Sequence, residues 1–214
     1  MNERLSRRRL STATIARFHT YSRVLERLIN DGRRTVSSVQ LGQLSATSAA
    51  LVRSDLFTLG FGGTRGVGYE TGKLLERIVE VLGLERVREV VVVGAGRLGL
   101  AIASYLTQGA RGLKITALFD IDPAKVGTEV AGVAIRSAER LAGEALTDVL
   151  AVVATPAAAA QPVVDQLVTA GVRSILNFAP TGLAVPSDVT VRSVDLAGEL
   201  YVLSFLQDHH DGAA

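Results

Sequence analysis

The feature that most constrains how this chain can fold is the stretch VVVGAGRLGLAIASYL at residues 91–106. A run of valines leads into a Gly-x-Gly-x-x-Gly turn, and the apolar start of a helix follows the turn. In a dinucleotide-binding turn, glycine allows the tight bend at Gly94, the close approach of backbone to pyrophosphate at Gly96, and the packing of helix on strand at Gly99. The positive end of the helix then faces the phosphates. The stretch therefore predicts the nucleotide-binding turn of a Rossmann-type sheet.

An acidic residue lies at the distance that this motif requires. Asp120 ends the apolar segment KITALFD and comes 21 residues after Gly99. A carboxylate at this position accepts hydrogen bonds from the hydroxyls of the adenine ribose and repels a 2′-phosphate. The spacing therefore predicts NAD(H) rather than NADP(H) as the bound nucleotide. Arg97, inside the turn, suits either a contact with the phosphates or an ordinary solvated position.

Two later loops are expected at the same edge of the sheet, because each ends a strand-like segment. Thr155 and Pro156 end one such segment, and residues 177–180 end another. Ligands of open parallel sheets bind beyond the carboxyl ends of the strands. We therefore expect both loops to flank the nicotinamide half of the ligand, although Phe178 suits a plain core position equally well.

From residue 89 onward, strand-like and helix-like segments alternate. The helical segments begin after Gly96, at residue 156 and at residue 196, and the strand-like segments are EVVVVG, KITALFD, DVLAVVAT, RSILNFAP and VTVRSVD. Repeated strand–helix units of this kind form an open parallel sheet with helices packed on it. The pattern predicts a doubly wound α/β domain.

The first third of the chain has a different organisation. We expect a helix over residues 11–31, a short helix that begins at Ser37, and a third helix over residues 49–59. Helix, short helix, turn and helix is the order of a helix-turn-helix unit. Residues 60–70 then hold five glycines and predict a hairpin-like loop, which would be the wing of a winged helix. Arg65 lies near the tip of this loop, where it could enter a DNA minor groove. An ordinary surface turn is the alternative.

Charge and composition limit the possible partners. Residues 1–80 hold 13 basic and 7 acidic side chains, whereas residues 81–214 hold 10 and 14. This asymmetry favours two domains with different partners, and a basic domain favours nucleic acid, although a solvated arginine-rich surface explains it equally well. The absence of cysteine and the presence of only 3 histidines argue against disulfides and against a metal site. With no long apolar run and no secretory signal pattern, we expect no membrane span and a cytoplasmic location.

The inventory of proton-transfer groups argues against a dehydrogenase. Such an enzyme needs an acid or base beside the hydride site, yet no histidine lies between His19 and His209. Lys114 opens a strand at the wrong edge, Lys125 lies toward the adenine side, and Tyr105 has no Tyr-x-x-x-Lys partner. We therefore predict no catalytic residues and a nucleotide-responsive regulator. The alternatives are a small NAD-dependent oxidoreductase whose basic segment is a dimerisation arm, and a repressor that senses another nucleotide-like ligand.

Over about residues 11–207 the chain resembles the Rex family of redox-sensing transcriptional repressors. The segments that carry the resemblance are RGVGYE, VGAGRLG, FDIDPAKVG, ILNFAP and VDLAGELYVLSF. The resemblance implies an N-terminal winged helix-turn-helix domain (residues 1–82), a C-terminal Rossmann domain with a doubly wound parallel sheet that binds NAD(H) (83–194), and a swapped dimerisation helix with a tail (195–214). It also implies a homodimer that binds double-stranded operator DNA, senses NADH and NAD+, and leaves the operator when NADH accumulates.

The same resemblance assigns roles to individual residues. It implies a redox switch formed by Tyr105, by Asp195 from the other subunit, and by Arg23 as a competitor for that aspartate. It implies DNA contacts by Ser38, Ser48, Arg53, Ser54, Arg65 and Gly66. It implies nucleotide contacts by Gly94, Ala95, Gly96, Arg97, Leu98, Gly99, Tyr105, Asp120, Ile121, Thr155, Pro156, Asn177, Phe178, Ala179, Pro180, Asp195 and Leu196.

Two of these positions depart from the family pattern. Ser54 stands where the family often has lysine, which predicts weaker or less salt-dependent DNA binding. Leu196 stands where phenylalanine is frequent, and it presents less apolar area to a nicotinamide ring. An apolar lining of Leu196, Phe178, Ala179 and Pro180 penalises the charged, oxidised ring by desolvation, so we expect a preference for NADH.

Overall fold

A computed structural model describes residues 10–108 and 111–210 of the chain, with the side chains of the last two described residues left out. The chain divides into two compact units between Arg86 and Val87. The segment limits predicted above at residues 82 and 194 stay predictions. Within the described ranges, no helix is long and apolar enough to cross a membrane. The same ranges hold no group of three or more histidine, aspartate or glutamate side chains suited to a metal ion.

The first unit is a small helical domain, as the sequence predicts, and it also holds a two-stranded sheet whose strand β1 the sequence analysis does not predict. Its core is formed by apolar side chains from all four helices, Phe18, Leu25, Leu41, Leu56, Leu74 and Ile78 among them. Its elements in chain order are α1 (Thr12–Asn30), β1 (Thr35–Val36), α2 (Ser38–Leu44), α3 (Ala49–Thr58), β2 (Tyr69–Glu70) and α4 (Thr71–Leu82).

The helix-turn-helix part of this unit is defined by side-chain caps. Ser37 and Gln40 form a reciprocal capping box at the start of α2, which confirms the predicted helix start. The Oγ of Ser48 accepts a hydrogen bond from the backbone N–H of Leu51, so Ser48 caps α3. Such caps satisfy backbone donors that a helix leaves without partners at its first turn. The short link between α2 and α3 is therefore fixed by local chemistry.

The wing is a tight loop closed by backbone hydrogen bonds. The N–H of Thr64 donates to the carbonyl of Gly68 at 2.8 Å, and the N–H of Gly68 donates back to the carbonyl of Thr64 at 2.9 Å. Gly68 has φ +100°, and a Cβ there would lie 2.5 Å from the carbonyl oxygen of Val36. Because β1 and β2 pair in antiparallel register beside this loop, the predicted hairpin-like loop is confirmed.

The second unit is built on a seven-stranded sheet. Its elements are β3 (Arg88–Val93), α5 (Arg97–Thr107), β4 (Leu113–Asp120), β5 (Glu129–Val130), β6 (Val133–Ser137), a 3-10 helix (Ala138–Gly143), β7 (Leu150–Val153), α6 (Ala157–Thr169), β8 (Ser174–Asn177), β9 (Thr190–Ser193) and α7 (Leu196–His210). The strand order is β5-β6-β4-β3-β7-β8-β9, and every neighbouring pair is parallel except β5 with β6. This confirms the doubly wound α/β fold. The strand order reverses between β3 and β7, where ligands of such sheets bind.

One part of the sheet is absent from the sequence-based prediction. Strands β5 and β6 form an antiparallel hairpin whose two turn residues, Ala131 and Gly132, have φ of 52° and 79°. A two-residue turn with both φ values positive fits the twist of a hairpin, but asparagine or aspartate is its usual first residue. Alanine in that place carries a weak signal, which explains why the hairpin is not predicted.

Candidate functional site

The glycine turn between β3 and α5 has the geometry that the motif predicts. Gly94 has φ +100°, and a Cβ there would lie 2.5 Å from the carbonyl oxygen of Ala154 at the end of the neighbouring strand. Gly96 is the cap residue of α5 and provides no side-chain hydrogen bond to the first turn. A Cβ at Gly96 would meet nothing within 4 Å. The N-terminus of α5 is therefore open to an anionic group that approaches the backbone.

A cavity of about 350 Å³ opens beside this turn at the carboxyl ends of β3, β4 and β7. This is the topological switch point of the sheet. The predicted nucleotide-binding residues that line it are Gly94, Gly96, Asp120, Ile121, Thr155 and Pro156. The volume is within the range of small-molecule sites in proteins.

Asp120 occupies one wall of the cavity and is 8% exposed. Its Oδ2 accepts hydrogen bonds from the N–H of Ala95 at 2.7 Å and from the Nζ of Lys125 at 3.2 Å, and its Oδ1 accepts one from the N–H of Asp122 at 2.9 Å. Burial alone would raise the pKa of Asp120, but these three donors together outweigh it and hold the pKa below its ordinary value. Asp120 is therefore an ionised acceptor at neutral pH.

Lys125 is a cavity residue to which sequence reasoning gave no binding role. Its ammonium group lies 3.2 Å from Asp120 and 3.7 Å from Asp122, and its side chain is 38% exposed. The segment FDIDPAKVG places the lysine five residues after Asp120, and a short turn brings it back to the carboxylate. The sequence predicts Lys125 toward the adenine side, and its ammonium group lies at the wall formed by Asp120, where the adenine ribose is expected.

Thr155 supplies the strongest sign of a ligand in the cavity. Its Oγ1 is the buried side-chain oxygen that has no hydrogen-bond partner among the described residues. Buried polar groups in folded proteins almost always have a partner, so one without a partner requires an explanation. Thr155 lines the cavity on the side of β7, across from the wall formed by Asp120. The open helix end and the ionised carboxylate fit a dinucleotide, and the buried, unpartnered hydroxyl of Thr155 lies beside them in the cavity wall.

The loop at residues 177–180 has mainly structural contacts. The amide nitrogen of Asn177 donates to the carbonyls of Ala179 and Thr181, both at 3.1 Å, and its Oδ1 accepts from the N–H of Ala179 at 2.9 Å. Asn177 is fully buried, so its side chain fixes the shape of the loop. Phe178 packs against the core on the α5 side of the sheet, and Pro180 is exposed. A contact of this loop with nicotinamide stays a prediction.

The remaining predicted nucleotide residues do not line this cavity. Ala95 is buried in the turn, whereas Arg97 and Leu98 at the start of α5 are exposed. Tyr105, also on α5, is 66% exposed. It lines a second, apolar groove of about 470 Å³ together with Leu106, Leu176, Phe178 and Arg192. The structure of the single chain therefore places Tyr105 in a different groove from Asp120 and Thr155.

Helix α7 is exposed and apolar around its circumference. The side chains of its apolar residues are between 47% and 75% exposed: Leu196, Leu200, Tyr201, Val202, Leu203, Phe205 and Leu206. Because four of them are consecutive, they point to every face of the helix. A helix that is apolar all round is normally buried on all sides. Asp195 begins this helix, since its Oδ1 accepts a hydrogen bond from the N–H of Gly198 at 2.9 Å.

The residues predicted to contact DNA lie on exposed parts of the first unit. The Nη1 of Arg53 on α3 donates to the Oγ of Ser38 on α2 at 3.3 Å. Ser48 caps α3, Ser54 is exposed on the same helix, and Arg65 is exposed in the wing. Gly66 follows Arg65 with φ +80°, a conformation that favours glycine in this tight loop. The structure thus brings Ser38 and Arg53 into contact, and DNA binding by the set stays a prediction.

A buried polar network behind α3 is absent from the sequence-based prediction. The Nε of Arg17 donates to Oδ2 of Asp55 at 2.6 Å, and Nη2 donates to Oδ1 at 2.7 Å. The hydroxyl of Tyr21 donates to Oδ2 at 2.9 Å. Burial, followed by the hydrogen bond to Asp55, raises the pKa of Tyr21 to about 12. The network joins α1 to α3 and so fixes the orientation of the helix that carries Arg53.

Comparisons with known proteins agree with this division of the chain. The family model described as "Putative DNA-binding protein N-terminus" matches residues 9–56, and the model described as "CoA binding domain" matches residues 85–181. The redox-sensing transcriptional repressor Rex of Streptomyces avermitilis is 44% identical over 96% of this chain and 82% of its own. The Rex of Syntrophomonas wolfei is 43% identical over 92% of this chain and 95% of its own.

Solved structures show the same relationship. The crystal structure of the Rex-family repressor RSP in complex with NAD+ and operator DNA has a TM-score of 0.86 at 31% identity, covering 96% of this chain and 95% of RSP. The structure of RSP with NADH has a TM-score of 0.83 at the same identity and covers 97% of RSP. High identity over nearly the whole length of the relatives, together with the shared fold, shows the family. The chain belongs to the Rex family of redox-sensing transcriptional repressors.

Proposed function

We propose that this chain is a repressor that binds double-stranded operator DNA as a homodimer and leaves it when NADH binds. The observation that carries the proposal is that one chain joins a winged helix-turn-helix unit to a cavity that holds the ionised Asp120 beside a glycine turn. The relatives named above support both halves, since RSP was solved with operator DNA and NAD+, and with NADH.

Different residues of the cavity would bind different parts of the dinucleotide. The open N-terminus of α5, behind Gly94 and Gly96, would hold the pyrophosphate. Asp120 would accept hydrogen bonds from the adenine ribose and disfavour a 2′-phosphate, which supports NAD(H) over NADP(H). Thr155 would offer its unpartnered hydroxyl to the nicotinamide half. When bound, the nicotinamide ring supplies the redox signal, because it is cationic when oxidised and neutral when reduced.

The preference for NADH would come from apolar surroundings. Leu196, Phe178, Ala179 and Pro180 offer no polar side chain, although Phe178 and Ala179 pack in cores on opposite sides of the sheet, so a cation held beside this loop would lose hydration without compensation. A hundredfold preference corresponds to about 2.7 kcal/mol. A ligand shifts the DNA-binding equilibrium only by its differential affinity for two arrangements of the protein, and a difference of this size is sufficient.

A homodimer is supported by α7. Its apolar side chains need cover on several faces, and the apolar groove lined by Tyr105, Phe178 and Leu176 offers a surface of matching chemistry. A second copy of the chain, with its α7 exchanged, would satisfy both surfaces at once. In the switch proposed for the dimer, Tyr105 and Arg23 compete for the partner's Asp195. Reduced nicotinamide lets Tyr105 bind this aspartate, and Arg23 is then released from it. Asp195 now accepts the N–H of Gly198, so its carboxylate has capacity for a further donor.

The proposal also states that this chain is a regulator and not an enzyme. Rex-family proteins are transcriptional repressors, as the names of the relatives state. The ionisable residues that line the cavity among the described residues, Asp120, Asp122 and Lys125, pair with one another at the adenine side. Proton transfer at the hydride site would need an acid or base near Thr155. We therefore expect no turnover of NADH with simple carbonyl compounds.

The test is fluorescence anisotropy of a palindromic operator duplex with the purified full chain, titrated first with NADH and then with NAD+. Specific binding that NADH releases at far lower concentration than NAD+ supports the proposal. Specific binding indifferent to both ligands means that another ligand is sensed, which thermal-shift measurements with NADH, NADPH and ATP identify. No specific binding at moderate salt, or steady oxidation of NADH by a carbonyl substrate, overturns the proposal in favour of an oxidoreductase.

A further inference from the structure

An aromatic side chain on α3 lies in solvent. Phe57 is 82% exposed, the largest exposed fraction among the large apolar side chains that the structure describes. The other large apolar residues in the second half of the helix and at its end, Leu56 and Leu59, are no more than 1% exposed. Phe57 therefore contributes nothing to the core of the unit, and its role must be sought on the surface.

The position of Phe57 on the helix associates it with the predicted DNA contacts. The buried side of α3 is marked by Val52, Asp55 and Leu56. The opposite side is defined by four exposed residues at the spacing i, i+3, i+4 and i+7, which places them on one face of a helix: Ala50, Arg53, Ser54 and Phe57. In a helix-turn-helix unit the second helix lies in the major groove with its N-terminal residues at the base edges, and Phe57 continues the same outer face toward the C-terminal end of α3.

We propose that Phe57 reads thymine in the operator by contact with the C5-methyl groups in the major groove. The inference rests on the proposed function of the first unit as a DNA-binding domain. Thymine is the base that presents a methyl group in the major groove, and apolar side chains including phenylalanine recognise it there. Phe57 lies one helical turn beyond Arg53, a rise of about 6 Å.

The surroundings of Phe57 favour DNA over a protein partner. Its own face also holds the cation Arg53, the hydroxyl of Ser54 and the small Ala50, and the other exposed large apolar side chain of α3, Leu51, is 39% exposed, whereas protein-binding surfaces are usually contiguous apolar patches. The segment that holds α3 is also basic, with 13 basic and 7 acidic side chains over residues 1–80. A single aromatic ring one turn beyond a cation and a hydroxyl matches a groove that offers phosphates, base edges and methyl groups together.

The experiment uses methyl deletion in the DNA, so that it does not depend on a protein variant alone. A palindromic operator is first selected from random duplexes by the full-length protein. Each thymine of the half-site is then replaced by deoxyuridine, which lacks the C5-methyl group, in both half-sites at once. Anisotropy titrations compare the wild type with Phe57→Ala and with the control Ile29→Ala, which removes a 38% exposed apolar side chain from α1.

The expected result is specific to one or two positions. Loss of one buried methyl group weakens binding about fourfold, equivalent to about 0.8 kcal/mol, and roughly 15-fold when both half-sites are changed. The wild type and Ile29→Ala should show this loss, and Phe57→Ala should bind the thymine and deoxyuridine duplexes equally well. Equal binding of all duplexes by the wild type overturns the inference, as does an undiminished loss in Phe57→Ala. If selection enriches no operator, the proposed function itself fails, and that outcome is distinct from the other two.

Discussion

The backbone N–H of Ala95 donates a hydrogen bond of 2.7 Å to Oδ2 of Asp120, which joins the glycine turn after β3 to the end of β4. The carboxylate that is expected to bind the adenine ribose therefore also holds the turn that is expected to bind the pyrophosphate. A change at Asp120 acts on both parts of the dinucleotide site. This coupling gives the site a sharper test than a single ribose contact would.

Replacement of Asp120 by asparagine should reduce NADH affinity roughly 10- to 100-fold. Hydrogen bonds to a charged group contribute about 1.5–3 kcal/mol, and asparagine has a single acceptor oxygen where aspartate has two. The discrimination against NADPH should shrink as well, because the negative charge is gone. Isothermal titration with NADH and NADPH measures both effects, with Glu139→Gln as an exposed acidic control. Unchanged affinity for both nucleotides would remove Asp120 from the site.

The stability of the second unit should depend on pH through the same carboxylate. The pKa of Asp120 is lowered in the folded chain, so its contribution is fully present above the unfolded value of about 3.9 and is lost as pH falls through the lower folded value. Urea unfolding of the wild type and Asp120→Asn between pH 7 and pH 3 should give curves that converge below about pH 4. Lys125→Met removes one of the donors that lower this pKa, so the folded pKa moves toward the unfolded value, and the variant should lose less stability than the wild type between pH 7 and pH 3. A wild-type and Asp120→Asn pair that stays equally far apart down to pH 3 contradicts the assignment.

Removal of the Asp55 carboxylate should destabilise the first unit strongly. Asp55→Ala leaves Arg17, whose side chain is 24% exposed, without its bidentate partner and the buried Tyr21 hydroxyl without its acceptor, and an unsatisfied buried group costs about 1–3 kcal/mol. Glu70→Gln is the matched control, because the exposed pair of Glu70 with Lys73 is expected to contribute no more than about 1 kcal/mol. Urea unfolding followed by circular dichroism measures both variants. NADH binding should survive in each, and equal stability of the two variants would show that the network is not structural.

The sequence carries strong signals where backbone geometry demands particular residues. Gly94 is predictable because the turn requires positive φ and no side chain fits against Ala154. The start of α2 is predictable because Ser37 and Gln40 are three residues apart and cap each other. In these places local chemistry alone determines the structure, so spacing in the sequence is sufficient.

Other features depend on contacts between distant segments, which the sequence does not display. Asp55 meets Arg17 across 38 residues, and nothing near either residue signals the pair. The exposure of Phe57 follows from the packing of α3, which determines the side of the helix that faces solvent. The side of the sheet on which Tyr105 and Phe178 lie likewise follows from strand order and register. The structure shows these placements, and the sequence alone does not.

Thr155 gives the most selective test of the cavity, because the free and bound proteins should respond in opposite ways. Thr155→Val keeps the shape of the side chain and removes an Oγ1 that has no partner among the described residues. The ligand-free variant should be as stable as the wild type or more stable, by up to about 1–3 kcal/mol, since an unsatisfied buried hydroxyl carries that cost. Its NADH affinity should nevertheless fall about 3- to 10-fold, the contribution of one neutral hydrogen bond. Thr155→Ser keeps the hydroxyl and should retain most of the affinity. Thermal unfolding with and without NADH measures both quantities, and a variant that loses stability while binding NADH normally would show that the hydroxyl serves the fold and not the ligand.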